Sequence, residues 1–234
     1  MYQNARRNPK AQTRAWELGE ATGPSSSRPN PQISPSIKIS DCSQITDGAV
    51  ALILASERFA RDYSQKRGIS LEEMPIIQGW GHTTAPILLE EKLREGRSSS
   101  FVLPHTRKAI TDAYARAGID GPGHLDAVEF HDCFTTTAYA AIDLIGLTEP
   151  GNNYQAIEQG WLELDGKLPL NPSGGLIGAG HPVGATGVRQ LLDAFHLVTG
   201  NAGNYQIDLS SHRILTVNIG GTGTTNVAFI IGNP

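Results

Sequence analysis

Apolar residues recur at helical spacing in several stretches of the chain. The most regular stretch begins after Gly187 and ends before Gly200, a residue type that often stops a helix. Its apolar face consists of Val188, Leu191, Leu192, Phe195 and Val198. Further helices are predicted at 57–66, 88–95, 106–117 and 135–145. Thr106 is the expected cap of the third of these, and Gly118 its stop.

Short apolar runs without helical spacing predict strands. They lie at 49–55, 75–81, 125–130, 213–218 and 225–231. The last two are joined by a glycine-rich turn, which predicts a hairpin. Residues 1–40 are polar and rich in Pro and Ser, and are expected to be irregular, as is the stretch 151–166. Strands that alternate with helices and end in a hairpin predict an α/β layered fold with a mixed sheet.

Composition narrows the class of protein. The chain has 234 residues, of which 39% are hydrophobic, so it can form one large or two small domains with a real core. Its net charge of −4 offers no basic face for nucleic acid, and no run of 18 apolar residues predicts a membrane span. The first residues lack the apolar region of a secretory signal, and two cysteines make no disulfide framework. We therefore expect a reducing compartment and a cytoplasmic location, with mitochondrion and peroxisome as alternatives.

The most unusual stretch is 171–187, which reads NPSGGLIGAGHPVGATG. So many glycines give few side chains for a core, and we expect a loop whose backbone can approach a ligand closely. Its one titratable side chain is His181, and Pro182 restricts the chain behind it. The loop leads into the N-terminus of a predicted helix, where negative charge is favoured.

Other chemical groups follow the predicted strands. His131 and Cys133 come after the strand at 125–130, and two residues apart on an extended chain leave the same face. A thiol beside a cationic or hydrogen-bonding group is expected to have a lowered pKa. Gly220 and its neighbour offer bare backbone N–H groups to an oxyanion. With His181, these groups suit thioester or other acyl chemistry.

Structural explanations remain open for each group. An isolated cysteine is more often a small buried hydrophobe than a reactive group, and His131 beside Asp132 is compatible with a structural pair. The glycines at 219–224 are compatible with a plain hairpin. No CxxC or HxxxH spacing accompanies the two histidines and Cys133, so no metal site is expected. The glycines of 171–187 do not fit the G-x-G-x-x-G dinucleotide pattern.

Four blocks together resemble the thiolase family, in particular its sterol-carrier-protein-2-type branch. They are CSQITDGAVALILAS (42–56), EFHDCFTTTAYAAIDLIGL (129–147), NPSGGLIGAGHPVGATG (171–187) and VNIGG (217–221), and NARRNPKAQ (4–12) resembles the preceding loop domain. The GHPxGATG block is highly specific to the family. The HDCF block marks the branch, since ordinary thiolases carry an NEAF-like motif there.

The resemblance implies a fold and a division of the chain. The fold would be the thiolase-like layered α/β fold, a mixed sheet with helices on both faces. Residues 1–40 would be the tail of the loop domain, and 41–74 the last strand and helix of the thiolase N-terminal domain. Residues 75–234 would be the C-terminal domain.

The resemblance also implies roles for individual residues. His181 would activate a nucleophilic cysteine and help to bind the thioester oxygen. Cys133 would be the acid and base that moves the substrate α-proton. His131 would lie in a first oxyanion hole, where it holds a water, and the N–H of Gly220 would belong to a second. Ser43 would contact the pantetheine arm of CoA.

One departure from the family pattern limits what the chain can do alone. The family nucleophile lies in the N-terminal half, whereas Cys42 lies well past that point and is not the nucleophile. Asn218 occupies the position at which ordinary thiolases carry the cysteine of a CxG motif. We therefore expect the C-terminal part of a thiolase, inactive by itself, whose partner is the missing N-terminal half or a second copy.

The expected activity is that of an acyl-CoA C-acyltransferase, by thiolysis of a 3-ketoacyl-CoA or by Claisen condensation. Its substrates would be acyl-CoA molecules and coenzyme A, with no cofactor permanently bound. Two alternatives stay open. One is a retro-aldolase of the same branch that acts on CoA-linked substrates with a partner protein, and the other is a non-catalytic half that only packs against its partner.

Overall fold

The structure is a computed structural model that describes residues 1–12 and 30–234. The helices in those ranges are α1 (Tyr2–Arg7), α2 (Glu57–Arg67), α3 (Leu89–Arg97), α4 (Pro104–Arg116), α5 (Thr135–Ile145), α6 (Asn153–Glu158), α7 (Gly175–Ala179) and α8 (Thr186–Val198). The strands are β1 (Gln32–Ser34), β2 (Ile37–Lys38), β3 (Ile76–Thr84), β4 (Ala127–Phe130), β5 (Arg213–Gly220) and β6 (Thr225–Gly232). Within the same ranges, no helix is both long and apolar enough to cross a membrane.

A four-stranded mixed sheet in the order β3-β6-β5-β4 organises the fold. Strands β3, β6 and β5 are antiparallel neighbours, and β5 and β4 run parallel. The chain returns from β4 to β5 through α5, α6, α7 and α8, as a parallel pair requires. The predicted hairpin is therefore confirmed as β5 and β6, and β1 and β2 form a small separate pair.

Helices cover both faces of the sheet, as expected. On one face, α4 packs against β3 and β6, and on the other α8 packs against β5. Side chains alternate along a strand, so Leu215 enters the α4 core with Ile110, whereas its neighbour Ile214 enters the α8 core with Leu197. The register of β5 is thus fixed by two separate apolar cores.

Two glycines of β3 set how closely α4 approaches the sheet. A Cβ atom at Gly81 would lie 1.8 Å from the carbonyl oxygen of Ala109, and one at Gly79 would lie 2.1 Å from that of Ala113. These contacts are to helix backbone, which cannot rotate away as a side chain can. The glycines therefore let the helix lie directly on the strand.

The apolar run at 49–55 does not form the strand predicted for it. Ile53 is 93% exposed and Leu54 is 75% exposed. Among the described residues, none of the four strands of the sheet pairs with this run. The strand expected within 41–74 is therefore absent from the structure, whereas the helix expected there is α2, which ends at Gly68 with φ of 66°.

Other expectations of irregular structure were partly wrong. Residues 1–40 contain α1 and the pair β1–β2, while the part of that prediction at 13–29 lies outside the described residues. The stretch 151–166 contains α6, and the glycine-rich stretch contains α7, whose five residues are all buried. Its Leu176 and Ile177 do contribute to a buried layer, contrary to the expectation that such a stretch lacks core side chains.

Thr106 does not cap the helix as predicted. Helix α4 begins at Pro104, because a proline at the first helical position needs no hydrogen-bond acceptor for its nitrogen. Thr106 lies inside the first turn, fully buried, and its hydroxyl donates to Oδ1 of Asn226 at 2.5 Å. The predicted stop at Gly118 is confirmed by its φ of 69°.

The close packing of α4 on β3 predicts a steric cost for a small substitution. Gly81→Ala places a methyl group against the Ala109 carbonyl, and we expect the free energy of unfolding to fall by about 2–3 kcal/mol. Denaturant unfolding followed by circular dichroism measures this loss. Gly121→Ala is the matched control, since a Cβ there meets nothing within 4 Å and its φ of 172° is extended. Equal stability of the two variants would contradict the packing described here.

Candidate active site

The candidate side chains His131 and Cys133 follow directly on β4. The backbone N–H of His131 still belongs to the sheet, because it donates to the carbonyl of Val217 on β5 at 2.9 Å. After His131 the chain leaves the sheet, and α5 begins at Thr135. The imidazole and the thiol therefore lie at the carboxyl end of a parallel strand, a common place for sites in α/β folds.

A short bridging segment (42–46) joins the two blocks that carry the candidate side chains. The N–H of Ser43 donates to the carbonyl of Cys133 at 2.9 Å. One residue later, the carbonyl of Gln44 accepts from the N–H of His181 at 3.0 Å. Backbone hydrogen bonds from one segment thus hold the β4 end and the glycine-rich stretch side by side, an arrangement that sequence reasoning missed.

The two candidate imidazoles are brought together. The ring centroids of His131 and His181 are 5.1 Å apart, and their planes are perpendicular. His131 is only 7% exposed, and burial, with smaller contributions from His181 and Arg189, lowers its pKa to about 4. Burial, and then the positive charge of Arg189, also lowers the pKa of His181. Both rings are therefore neutral at neutral pH and can accept or donate a proton.

His181 is oriented by the start of α8. Its Nδ1 lies 2.7 Å from the hydroxyl oxygen of Thr186, and that hydroxyl donates to the carbonyl of Pro182 at 3.1 Å. Because the hydroxyl has one hydrogen and gives it to Pro182, Nδ1 of the imidazole is the donor in their contact. The neutral ring then carries a lone pair on Nε2, which suits a general base. Thr186 belongs to the GATG motif, but sequence reasoning gave it no role.

The expected lowering of the Cys133 pKa is wrong. Burial raises the pKa of this thiol, and the carboxyl group of Asp132 raises it further, which outweighs the contact of Sγ with the Thr137 hydroxyl at 3.7 Å. A thiolate is stabilised by a cationic neighbour, and the two candidate imidazoles are neutral. The group therefore rests as a protonated thiol, which can give a proton to a substrate carbanion.

Gly220 and Ser43 lie at the same end of the sheet. Gly220 is the last residue of β5, two positions beyond Asn218, whose side-chain Nδ2 lies 3.2 Å from Nδ1 of His131. Ser43 belongs to the bridging segment and is bonded to the Cys133 backbone. Contacts therefore join His131, Cys133, His181 and the segment that contains Ser43, and Gly220 ends the strand that pairs with β4.

Two buried carboxyl groups, which sequence reasoning did not assign to the site, form hydrogen bonds to its glycine-rich stretch. Glu129 is fully buried and accepts hydrogen bonds from the N–H and the hydroxyl of Ser173, at 2.9 and 2.8 Å. Burial raises the pKa of this carboxyl group to about 8, and the negative charge of Asp193 contributes to the increase. Asp132 is also buried, and accepts from the N–H of Leu176 at 2.6 Å, and burial raises its pKa to about 6. These bonds anchor the glycine-rich stretch to β4. Their only sequence signal is two acidic residues within EFHDCF.

Comparison with known proteins identifies the family. The family described as "Thiolase C-terminal domain-like" matches residues 91–233. The chain therefore belongs to the thiolase family.

Among the described residues, no group of three or more His, Cys, Asp or Glu side chains is arranged to hold a metal ion.

Curated relatives of the chain agree with its assignment to the sterol-carrier-protein-2-type branch. An acetyl-CoA acetyltransferase of Methanothermobacter thermautotrophicus is 33% identical over 230 residues, which cover 98% of this chain and 55% of the relative. Human sterol carrier protein 2 is 33% identical over 171 residues, 73% of this chain and 30% of that protein. The chain thus spans about half, or less, of the length of these curated relatives.

Solved structures share the fold over nearly the whole chain. The Ltp2-ChsH2(DUF35) aldolase matches with a TM-score of 0.76 and 22% identity, over 99% of this chain and 56% of that one. A monomeric SCP2-thiolase-like protein type 1 from Mycobacterium smegmatis matches with a TM-score of 0.65 and 16% identity. The match covers 99% of this chain and 43% of that protein. At these identities the likeness establishes the thiolase-like layered fold.

The raised pKa of Glu129 predicts a dependence of stability on pH. A carboxyl group with a pKa of about 8 in the folded state and 4.5 when unfolded contributes stability that is present below pH 4.5 and lost as pH rises through 8. Glu129→Gln cannot ionise; its Oε1 can still accept from the Ser173 N–H, and its Nε2 can donate to the Ser173 hydroxyl oxygen. Between pH 4 and pH 9, we expect the free energy of unfolding of the variant to increase by about 4 kcal/mol relative to that of the wild type, as measured by denaturant unfolding.

The control for this comparison is Glu158→Gln, which changes an exposed carboxyl group at the end of α6. Its stability should follow that of the wild type across the same pH range. Parallel curves for wild type and Glu129→Gln would show that Glu129 is ionised in the folded protein at neutral pH, contrary to the prediction.

Proposed function

We propose that this chain is the part of an acyl-CoA C-acyltransferase that supplies His181, Cys133 and His131. The reaction is thiolysis of a 3-ketoacyl-CoA by coenzyme A, or its reverse, the condensation of two acyl-CoA molecules. The observation that carries the proposal is the perpendicular pair of neutral imidazoles, buried His131 at the end of β4 and half-buried His181 beside it, with a protonated thiol two residues from His131.

Each group has a step that its local contacts suit. Nε2 of His181 takes the proton of a cysteine thiol supplied by the rest of the protein, and the thiolate attacks the 3-keto carbon. The backbone N–H of Gly220 stabilises the 3-keto oxygen, which becomes negative on attack, and the ring N–H of His131 stabilises the thioester oxygen, which becomes negative on cleavage. The bond between the α- and β-carbons then breaks, and Cys133 gives its proton to the departing carbanion, which leaves as acetyl-CoA.

The second half of the reaction restores the enzyme. The thiol of coenzyme A attacks the acyl-cysteine, and its proton returns to the thiolate of Cys133. The shortened acyl-CoA leaves, and the nucleophilic cysteine recovers its proton from His181. Coenzyme A is thus a substrate rather than a resident cofactor, and Ser43 is the proposed contact for its pantetheine arm.

The nucleophile is proposed to come from the remaining part of the protein, because this chain covers only 55% of the acetyl-CoA acetyltransferase and 30% of the sterol carrier protein 2 that it matches. Two large apolar side chains are open to such a partner half: Ile45, in the bridging segment, is 80% exposed, and Ile53, in the run that follows, is 93% exposed. Leu54, next to Ile53, is 75% exposed, and an exposed apolar stretch of this kind is typical of a surface that packs against another part of a protein.

A second candidate function is a retro-aldolase that acts on a CoA-linked 3-hydroxyacyl group. The observation that favours it is the match of 99% of the chain, at a TM-score of 0.76, to the Ltp2-ChsH2(DUF35) aldolase. A retro-aldol cleavage needs a base for the hydroxyl proton and an acid for the carbanion, but no covalent acyl-enzyme. Cleavage of 3-hydroxyacyl-CoA, tested with and without added free coenzyme A, therefore distinguishes the two reactions.

The catalytic roles are tested by substitution in the complete protein. Cys133→Ala and His181→Ala should each lower kcat for thiolysis of acetoacetyl-CoA by about 10²–10⁴-fold with little change in KM, because each removes a proton-transfer group. His82→Ala changes an exposed histidine on β3 and should leave kcat unchanged. Normal turnover by both site variants would exclude the proposed roles.

The proposed source of the nucleophile gives a separate prediction. The purified 234-residue chain should not cleave acetoacetyl-CoA with coenzyme A, because neither Cys42 nor Cys133 serves as the acyl acceptor. Release of acetyl-CoA, followed by chromatography, is the measurement. Cleavage above the rate of a heat-denatured sample would mean that this chain holds its own nucleophile.

A further inference from the structure

The orientation of the Gln190 side chain is fixed by the sheet below it. Gln190 lies on α8 and is 1% exposed. Its Nε2 lies 3.3 Å from the carbonyl oxygen of Glu129 on β4 and 3.2 Å from that of Val217 on β5. The opposite orientation would place Oε1 against two carbonyl oxygens with no hydrogen between them. The amide nitrogen therefore faces the sheet, and Oε1 is left for another donor.

Asn218 is that donor, and its own orientation follows. Its Nδ2 lies 3.0 Å from Oε1 of Gln190 and 3.2 Å from Nδ1 of His131. An amide NH2 group has two hydrogens and accepts none, so one hydrogen goes to Gln190 and the other to the imidazole. Nδ1 of His131 must then be the acceptor. A neutral imidazole has one N–H, which is therefore on Nε2.

We propose that Gln190 and Asn218 are positioning residues that hold His131 as the Nε2–H tautomer, so that the ring presents a hydrogen-bond donor to the site. The tautomer itself follows from the contacts above, whereas its catalytic consequence rests on the proposed function. The N–H of His131 would then stabilise a substrate oxyanion directly. His181, whose Nδ1 donates to Thr186, has the opposite tautomer and serves as the base.

The groups around His131 reinforce the neutral form. From the glycine-rich stretch it faces His181, and from α8 it faces the positive charge of Arg189, both of which oppose protonation. On its own segment it is followed by Asp132, whose carboxyl accepts from Leu176, and by the thiol of Cys133. The described contacts include no carboxylate on either ring nitrogen of His131, so the Asn218 amide decides the tautomer.

The test is the protonation state of each ring nitrogen, measured by ¹⁵N NMR on the labelled full chain between pH 5 and 8. In the wild type, Nδ1 of His131 should have the shift of an unprotonated nitrogen and Nε2 that of a protonated one throughout. An Nδ1–H tautomer, or an imidazolium at pH 7, would overturn the proposal without any variant being needed.

Asn218→Asp reverses the contact while keeping the shape. A carboxylate cannot donate, so Nδ1 should gain a proton, and the titration midpoint of His131 should rise by about one to three pH units. Asn218→Ala removes the donor and should give a mixture of the two tautomers. Asn226→Asp is the matched control, because that residue bonds Thr106 on the opposite face of the sheet. Unchanged ring shifts in both Asn218 variants would overturn the proposal.

Activity separates this proposal from the function on which its consequence rests. In the complete protein, Asn218→Asp should lower kcat for thiolysis by about 10²-fold, as expected for the loss of one oxyanion donor. If the ring shifts are as predicted and the complete wild-type protein shows no thiolysis, the proposed function fails and the tautomer assignment stands. If thiolysis is normal and the wild-type ring has Nδ1–H, the positioning role alone is refuted.

Discussion

The parallel pairing of β4 with β5 is the constraint on which the site depends. Phe130 pairs with Val217, so the next residue on each strand, His131 and Asn218, are neighbours at the carboxyl end. A shift of one residue in β5 would turn the Asn218 side chain to the other face of the sheet. Such a shift would also exchange the side chains that enter the two apolar cores. Burial of those cores thus fixes the register, and the register places the chemistry.

Burial keeps several groups of the site neutral at neutral pH. Burial lowers the pKa of His131 to about 4, raises that of Cys133, and raises that of Glu129 to about 8. A water-poor environment penalises any charge that lacks a partner, and these groups avoid the penalty by holding or losing a proton. In the proposed reaction the new charge arises on a substrate oxygen, beside the N–H groups proposed to stabilise it. Preorganised dipoles of this kind act most strongly where the dielectric constant is low.

Local patterns in the sequence were sufficient for most helices and for the hairpin, whereas the roles of the candidate site residues came from the family resemblance and stay proposals. Helical spacing, stop glycines and the alternation along β5 depend on neighbours in the chain. The bridging segment could not be predicted, because its bonds to Cys133 and His181 are long-range contacts of backbone atoms, which no side-chain pattern encodes. Glu129 was missed for a related reason. An acidic residue in a short strand suggests exposure, and its buried partner, Ser173, is distant in the sequence.

The wrong prediction at 49–55 links the fold to the proposed function. An apolar run of this kind normally marks a buried strand, and here it is exposed directly after the bridging segment that holds the two halves of the site together. If the rest of the protein covers this run, as proposed, the same contact would order the segment bonded to Cys133 and His181. Completion of the fold and completion of the site would then be one event, since the partner would deliver the nucleophile and fix the backbone that positions the imidazole.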